Sequence, residues 1–156
     1  MNILIWRVLL DRIPTRLNLS NKGIDIPSVL CPFCSNDVET SQHIFLACDI
    51  AERIWKLIFK WLNIPFFSAA NVGVIFQFID GLHLKSTKKM CIEGIFCCTI
   101  WTIWKYRNDL VFSSGQNRSD FLFDFIVSQS HIWASNKCRK ICVSRDEWFQ
   151  NPLLFL

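Results

Sequence analysis

The sequence predicts a mainly α-helical fold, with a small cysteine-containing module near the N-terminus followed by a helical bundle-like region. Apolar residues make up 51 % of the 156 residues, and in several segments they recur at helical spacing. Proline, glycine and asparagine separate these segments. Fourteen Phe and seven Trp provide ample material for a core, which argues against disorder. We therefore expect two regions, residues 1–65 and residues 66–156.

The front of the chain predicts two helices with a turn-rich segment between them. The first covers about residues 3–11 and ends before Pro14, because a residue that precedes proline avoids the α region. The second covers about residues 49–62. There, Asp49 and Glu52 have the spacing of a capping box, and Glu52 and Lys56 that of a helical ion pair. The apolar positions of this helix share one face, formed by Ile50, Ile54, Ile58, Trp61 and Leu62.

The rest of the chain predicts three further helices. Residues 71–81 are apolar and fit a strand or a helix, of which we favour the helix. Residues 86–112 are apolar on nearly every side, which is typical of a central buried helix. A last helix begins at Ser119 or Asp120 and continues to about residue 140, and a short tail follows. The inward positions of this last helix would be Leu122, Phe125, Ile126, Ile132 and Trp133.

One short segment carries a metal-ligand pattern. Cys31 and Cys34 are separated by two residues, and His43 and Cys48 follow within an 18-residue span. Two thiolates at this spacing can bind one metal from a single turn, and an imidazole and a third thiolate complete the tetrahedral shell of a structural zinc site. A continuous helix would direct His43 and Cys48 about 140° apart. The expected cap at Asp49 breaks the helix where Cys48 must turn back, so the four residues predict one bound Zn²⁺.

Other interpretations of the cysteines stay open. Burial alone explains isolated cysteines, which are among the most buried residue types. A redox Cys-x-x-Cys motif would normally open a helix in a βαβ unit, and the sequence shows none. A second metal site is conceivable if Cys138 and Cys142 meet Cys97 or Cys98 in space. Cysteines buried in a helical core explain the same pattern.

Charge and apolar segments limit the classes of protein to consider. Seventeen basic and thirteen acidic residues give a formal charge of +4, which permits contact with nucleic acid without requiring it. Arg7 interrupts the apolar N-terminus, so we expect no secretory signal. The apolar run at residues 94–104 is too short to cross a bilayer. We expect an intracellular chain with reduced cysteines, in the nucleus or the cytoplasm.

A basic segment precedes the metal pattern. Its cations are candidates for contact with phosphate groups, although an ordinary solvated face explains them equally well. Phe33, inside the metal loop, could stack on a base or simply cover the metal. The predicted nucleic-acid-binding residues are Arg7, Arg12, Arg16 and Lys22.

Several short motifs follow one another in residues 6–62: Arg12-Ile-Pro-Thr15, Gly23-Ile24, Cys31-Pro-Phe-Cys34, Glu39-Thr40, His43-x4-Cys48 and Trp55. Together they resemble the zinc-binding domain of plant non-LTR (LINE-type) retrotransposon reverse transcriptases. A later string, Trp101-Thr-Ile-Trp104-Lys-Tyr-Arg107-Asn108, is similar to a stretch that often follows this domain. The resemblance implies an origin in the tail of a reverse transcriptase polyprotein, an RNA-directed DNA polymerase whose catalytic domain lies upstream.

The sequence departs from such a polyprotein in one important respect. It begins at the edge of the zinc-binding domain, and it lacks the Tyr-x-Asp-Asp motif that would hold the metal ions of the polymerase. A zinc shell of four protein ligands also leaves no position for a reactive water. We therefore expect a fragment or domesticated remnant without enzymatic activity of its own.

Two functions compete on this evidence. The first is a zinc-stabilised nucleic-acid-binding module, with RNA or DNA as its partner and a reverse transcriptase core as a further candidate partner. The second is a structural or protein-interaction scaffold stapled by zinc. The Trp-rich central helix favours the scaffold, because a fragment would expose aromatic surface where a missing partner packed. Neither function involves a membrane or a small-molecule substrate.

Overall fold

The structure is a computed structural model that describes residues 2–113, 118–137 and 143–156. Helices make up most of it. Within these ranges 66 % of the residues are helical and none belongs to a β-strand, although one antiparallel bridge joins Leu30 and Val38. The four predicted metal ligands cluster near residues 31–48, ahead of the long helices. The predicted fold class, mainly α with a small module at the front, is confirmed.

The described ranges contain seven α-helices: α1 (Asn2–Leu9), α2 (Arg16–Asn21), α3 (Asp49–Trp61), α4 (Val72–Gly81), α5 (Ser86–Phe112), α6 (Leu122–Lys137) and α7 (Arg145–Gln150). A π-helical turn (His43–Ala47) precedes α3, and a 3₁₀ turn (Ser119–Phe121) precedes α6. The first four predicted helices correspond to α1, α3, α4 and α5. The fifth corresponds to α6, and its expected extension to residue 140 lies outside the described residues.

Helix α5 lies at the centre of the core. It packs against α1, α4, α6 and the π-helical turn, and it buries side chains on several sides along most of its 27 residues. Phe96 is fully buried, with its ring centroid 5.2 Å from that of Trp55 and 5.5 Å from that of Phe59 in α3. Burial on several sides is what an apolar pattern without a polar face requires.

The start of α3 differs from the prediction. Asp49 is the first helical residue, and the capping position belongs to Cys48, whose side chain makes no capping hydrogen bond. The predicted capping box of Asp49 and Glu52 is therefore wrong. Glu52 instead pairs with Lys56, whose Nζ lies 2.9 Å from its carboxylate, as the helical spacing predicted. Cys48 faces Cys31, with 3.9 Å between the two sulfur atoms, so its side chain serves the metal cluster rather than the helix end.

The inward face of α3 is wider than predicted. Four of the five predicted residues are buried, and Ile50 is half-buried. Three further residues of α3 are buried because α3 contacts α6 and the π-helical turn, and because two of its rings pack on Phe96 of α5. These additional core residues are Ala51, Trp55 and Phe59.

The rotation of α6 about its own axis also differs from the prediction. Leu122 and Ile126 are buried and Trp133 is half-buried, as expected, but Phe125 and Ile132 are 37 % and 52 % exposed. Smaller side chains take the core-facing positions and allow α6 to pack closely on α5. These residues are Val127, Ser130 and Ala134.

The C-terminal segment forms part of the core, which corrects its prediction as a simple tail. Helix α7 begins at a capping box, in which Ser144 accepts a hydrogen bond from the N–H of Glu147 and the Glu147 carboxylate accepts one from the N–H of Ser144. Trp148 is fully buried, and its ring centroid lies 6.2 Å from that of Trp61 in α3. The large indole of Trp148 therefore packs α7 against the rest of the core.

The hydrophobic core contains residues from both predicted regions. Buried apolar side chains form one cluster that extends from Ile5 in α1 to Trp148 in α7. This packing does not assign a domain boundary, so the division at residue 65 stays a prediction. Among the described helices, none is long and apolar enough to span a membrane.

Gly94 allows α6 to pack closely on α5. A Cβ atom at this position would lie 2.0 Å from the Trp133 ring. We expect Gly94→Ala to lower the free energy of unfolding by about 1–3 kcal/mol, because overpacking must displace the ring or separate the helices. Gly81→Ala at the end of α4 is the matched control, since a Cβ there meets no atom within 4 Å. Urea unfolding measures both, and equal stability of the two variants would contradict the close packing.

Candidate metal centre

Residues 31–34 form a tight turn within a short hairpin. The N–H of Cys31 donates to the carbonyl of Asp37 at 2.7 Å, and the N–H of Ser35 donates to the carbonyl of Cys31 at 2.9 Å. Ser35 has a left-handed backbone with φ of 58°, which reverses the chain directly after Cys34. The N–H of Phe33 also points at the Cys31 sulfur, 3.4 Å away. The backbone of the hairpin thus places the first two candidate ligands.

The π-helical turn positions the other two candidate ligands, His43 and Cys48. Thr40 Oγ1 accepts a hydrogen bond from the N–H of His43 at 2.9 Å, which fixes the start of this turn. The N–H of Cys48 donates to the carbonyl of His43 at 2.8 Å, which closes a turn across five residues. Cys48 itself is extended, with ψ of 139°. This wide turn and the extended residue after it bring His43 and Cys48 together, whereas the sequence had suggested a cap at Asp49.

The four candidate ligand atoms lie within 4.8 Å of one another. The sulfurs of Cys31 and Cys48 are 3.9 Å apart, and the Cys34 sulfur is 3.4 Å from His43 Nε2. Tetrahedral zinc with ordinary bond lengths would separate two sulfurs by about 3.8 Å and a sulfur from a nitrogen by about 3.6 Å. Three thiols and one imidazole also have the softness that zinc prefers. The residues therefore fit a closed Cys₃His zinc shell in both donor type and spacing.

The short distance between Cys31 and Cys48 shifts their pKa values in opposite directions. The hydrogen bond between the sulfurs of Cys31 and Cys48 lowers the pKa of Cys31, and N–H groups of Cys34 and Phe33 act in the same direction against the effect of burial. The same contact, together with burial, raises the pKa of Cys48. Two thiols this close ionise one after the other, and a divalent cation would replace the proton that they share.

His43 has a carboxylate beside its other ring nitrogen. Nδ1 lies 3.9 Å from an oxygen of Asp37, while Nε2 faces the sulfur of Cys34. A carboxylate in this position favours the tautomer that leaves Nε2 free to bind a metal. Because the Asp37 side chain is 73 % exposed, water screens most of its field. At 3.9 Å the two groups are not hydrogen-bonded, so this contact adds little to the stability of the fold.

A buried ion pair connects this module to α5. Glu39 is completely buried, and its two carboxylate oxygens accept hydrogen bonds from the guanidinium of Arg107 at 2.7 and 2.9 Å. One of these oxygens also accepts from the N–H of Arg16 at 2.7 Å. The guanidinium donates further to the carbonyl of Pro14 and the side-chain oxygen of Asn108. A bidentate pair with this many partners fixes position and orientation together.

Aromatic rings add to the contact between the module and α5. The ring centroid of Phe33 lies 5.2 Å from that of Tyr106, and Phe45 lies 6.1 Å from Trp104. The indole N–H of Trp55 donates to the carbonyl of Phe45 at 2.7 Å. Of the two roles considered for Phe33, this packing supports covering the module rather than free presentation of the ring.

The four predicted nucleic-acid-binding residues have different surroundings. Arg7, Arg12 and Lys22 are exposed, and none of the ion pairs among the described residues involves them. Arg16 is half-buried, and its Nη1 donates to the carbonyl of Leu30 at 2.7 Å. Arg16 therefore supports the hairpin. Contact with nucleic acid stays a prediction for all four.

The suggested second metal site falls partly outside the described residues, because Cys138 and Cys142 lie there. Cys97 is half-buried and Cys98 buried in α5. Burial raises the pKa of Cys97 to about 11 and that of Cys98 to about 12, which disfavours the thiolate form that binds metals. Burial therefore accounts for the two described cysteines of this suggested site, Cys97 and Cys98.

The segment that contains the four candidate ligands is similar to a known family. Residues 1–55 match the family model for zinc-binding in reverse transcriptase. The match contains all four candidate ligands and Glu39, and it ends within α3. No curated protein and no solved structure matches the chain. The matched segment, residues 1–55, is called the zinc module below.

Sequence reasoning missed one pair of residues that holds the zinc module in place. Glu39 and Arg107 are 68 residues apart, so no local pattern joins them. Both had appeared in the motifs that carried the family resemblance, Glu39 beside Thr40 and Arg107 beside Asn108. The presence of an acidic residue in one motif and a basic residue in the other was the only sign in the sequence that the two could pair. The structure shows that the two motifs contact each other.

Removal of two ligands tests the zinc shell. We expect about one zinc per purified chain, and we expect the double variant Cys31→Ser/Cys34→Ser to lose the metal and part of its helical circular dichroism, because the shell joins two separate turns. Cys97→Ala is the control, since it removes a cysteine outside the cluster. Elemental mass spectrometry measures the metal content. Zinc retained by the double variant would show that the cluster is not the binding site.

Neutralising Glu39 tests the buried ion pair. Glu39→Gln would leave the Arg107 guanidinium buried with only a neutral partner, so we expect a loss of about 3–5 kcal/mol in the free energy of unfolding. Glu52→Gln is the matched control, because it removes an exposed carboxylate paired with Lys56 and should cost less than about 0.5 kcal/mol. Guanidinium unfolding distinguishes the two, and similar losses in both would contradict a special role for Glu39.

Proposed function

We propose that this chain is a zinc-stabilised nucleic-acid-binding module of the reverse-transcriptase type. The observation that carries the proposal is the Cys₃His cluster, which lies inside the segment that matches the family and directly follows a segment with exposed cations. A shell of four protein ligands stabilises a fold but leaves no coordination position for a substrate or a reactive water. On this proposal the module presents a binding surface and catalyses no reaction.

The exposed cations supply the chemistry for binding phosphate groups. Arg7 lies in α1, and the N–H of Arg12 donates to its carbonyl at 2.7 Å, so the backbones of these two residues are adjacent. Lys22 caps the end of α2. Exposed cations without a carboxylate partner are free to replace the counterions of a nucleic acid backbone. Arg16 contributes by fixing the hairpin that α2 precedes.

The proposal also includes the evolutionary origin of the chain and its partners. The motif order resembles plant LINE-type retrotransposon reverse transcriptases, and we infer an origin in the tail of such an RNA-directed DNA polymerase polyprotein. RNA or DNA would be the ligand, with a reverse transcriptase core as a second partner. Neither a membrane nor a small-molecule substrate has a place in this function.

The scaffold function is the second candidate, and the surface of α1 favours it. Three apolar side chains at helical spacing along α1 are exposed: Ile3 by 73 %, Trp6 by 55 % and Leu10, just after the helix, by 46 %. An exposed apolar row of this kind is typical of a protein contact. If the scaffold function is correct, this row and not the cations would carry the binding.

A salt titration tests nucleic-acid binding. We expect the affinity of the zinc-loaded chain for single-stranded RNA or DNA to fall as salt increases. The triple variant Arg7→Gln/Arg12→Gln/Lys22→Gln should reduce the slope of log K against log salt by about 2, since each phosphate contact contributes about 0.7 for a single strand. The charge-matched control Lys60→Gln/Lys85→Gln/Lys137→Gln alters exposed lysines of other segments.

The outcomes separate the two candidate functions. Equal slopes for the two triple variants would remove the basic segment from the binding surface. Absence of binding at low salt would contradict the nucleic-acid function as a whole. Concentration-dependent self-association that Trp6→Ser abolishes, measured by analytical ultracentrifugation, would then favour the scaffold.

A further inference from the structure

A groove of about 470 Å³ lies beside the zinc module. One wall is the C-terminal end of α5, and the other is formed by α2 and the segment just before the hairpin. The volume falls within the usual range for sites that bind small ligands. The lining residues that matter for its chemistry are Arg16, Pro27, Ser28, Trp104, Asn108 and Phe112.

The α5 wall offers flat aromatic surface. Trp104, Asn108 and Phe112 follow one another at four-residue spacing, so they lie along one side of the helix. Phe112 is 78 % exposed, although it ends the helix whose other aromatic side chains are largely packed. Trp104 is half-buried, and the guanidinium of Arg107 lies 4.9 Å from its ring centroid. A planar ligand in this groove would meet the Phe112 ring without any change in the core.

The polar groups of the groove are donors and cations. Asn108 uses its side-chain oxygen to accept from Arg107, so its NH₂ group remains to donate. Ser28 Oγ accepts from the N–H of Leu30, which leaves its hydroxyl hydrogen available. The lining contains two guanidinium groups and no carboxylate. The charge of Arg107 is already compensated by Glu39, so the half-buried Arg16, with one of its N–H groups donating to the carbonyl of Leu30, is the cation that a ligand would meet. This chemistry complements a ligand that carries acceptors and negative charge.

We infer that this groove binds an unpaired nucleotide of a single-stranded nucleic acid. The base would stack on Phe112 at the edge of Trp104, while Asn108 and Arg16 donate to base oxygens or to the neighbouring phosphate. The inference rests on the proposed nucleic-acid function and adds to it the form of the ligand, because a base that is paired and stacked in a duplex does not offer its face to a protein ring. Arg16 and Leu19 of α2 line the groove, and Lys22, one of the exposed cations, caps the end of the same helix.

Phe112 provides the test, because its exposure allows replacement without damage to the core. Fluorescence anisotropy would compare zinc-loaded wild type and variants on a labelled single strand and on an abasic strand with the same phosphates. We expect Phe112→Ala to weaken binding of the normal strand about 5- to 150-fold, the range for loss of one base stack, and to leave binding of the abasic strand unchanged. Phe112→Trp should retain affinity. Phe155→Ala is the control, since Phe155 is 44 % exposed and lies outside the groove.

The other results each have one meaning. If the wild type binds single strands and Phe112→Ala binds them equally well, the groove assignment is wrong while the nucleic-acid function stands. If the variant loses affinity for normal and abasic strands alike, stacking is not the cause and the assignment is again wrong. Tighter binding of duplex than of either single-stranded RNA or single-stranded DNA would also overturn it. If the wild type binds no nucleic acid, both the groove and the proposed function fall.

Discussion

The position of the zinc module depends on the buried ion pair of Glu39 and Arg107. A carboxylate without solvent exposure must have its charge compensated at close range, and only the guanidinium of α5 supplies a cation to Glu39 among the described residues. The same carboxylate accepts the N–H of Arg16 at the start of α2. Three segments distant in sequence therefore meet at one side chain. The family match ends at residue 55, but the interaction that holds the module requires a residue well beyond it.

Metal and ion pair act on different parts of the module. The hairpin supplies Cys31 and Cys34 and the π-helical turn supplies His43 and Cys48, so a bound zinc would join two separate pieces of backbone. Glu39 lies between the two pieces and connects both to α5. A bound zinc would thus set the internal geometry of the module, whereas the ion pair and the ring of Phe33 set its place on the helical core. Because unfolding would separate the ligands, metal binding and folding of this region are coupled.

The sequence was informative wherever the cause of the structure is local. Hydrophobic periodicity located α1, α3, α4 and α5, and ligand spacing located the metal cluster. It failed where a distant neighbour decides the outcome. Phe125 and Ile132 fit an inward face of α6, but the Trp133 ring over Gly94 sets the rotation of the helix. Trp148 gave no local sign that it would complete the core against Trp61. At Cys48 the sulfur serves the metal cluster, and this requirement overrode the capping chemistry that Asp49 and Glu52 suggested.

The end of α5 connects the module to the surface proposed for binding. Within five residues it supplies the ring of Trp104, the guanidinium that binds Glu39, and the amide of Asn108, and Phe112 follows one turn later. Arg107 orients Asn108 through a hydrogen bond and lies over the Trp104 ring, so a change in the ion pair would also move the wall of the groove. The opposite wall begins with Arg16, whose N–H binds the same carboxylate. The groove is therefore formed only when the module is docked on α5, and zinc would act on binding through the fold while remaining out of contact with the ligand.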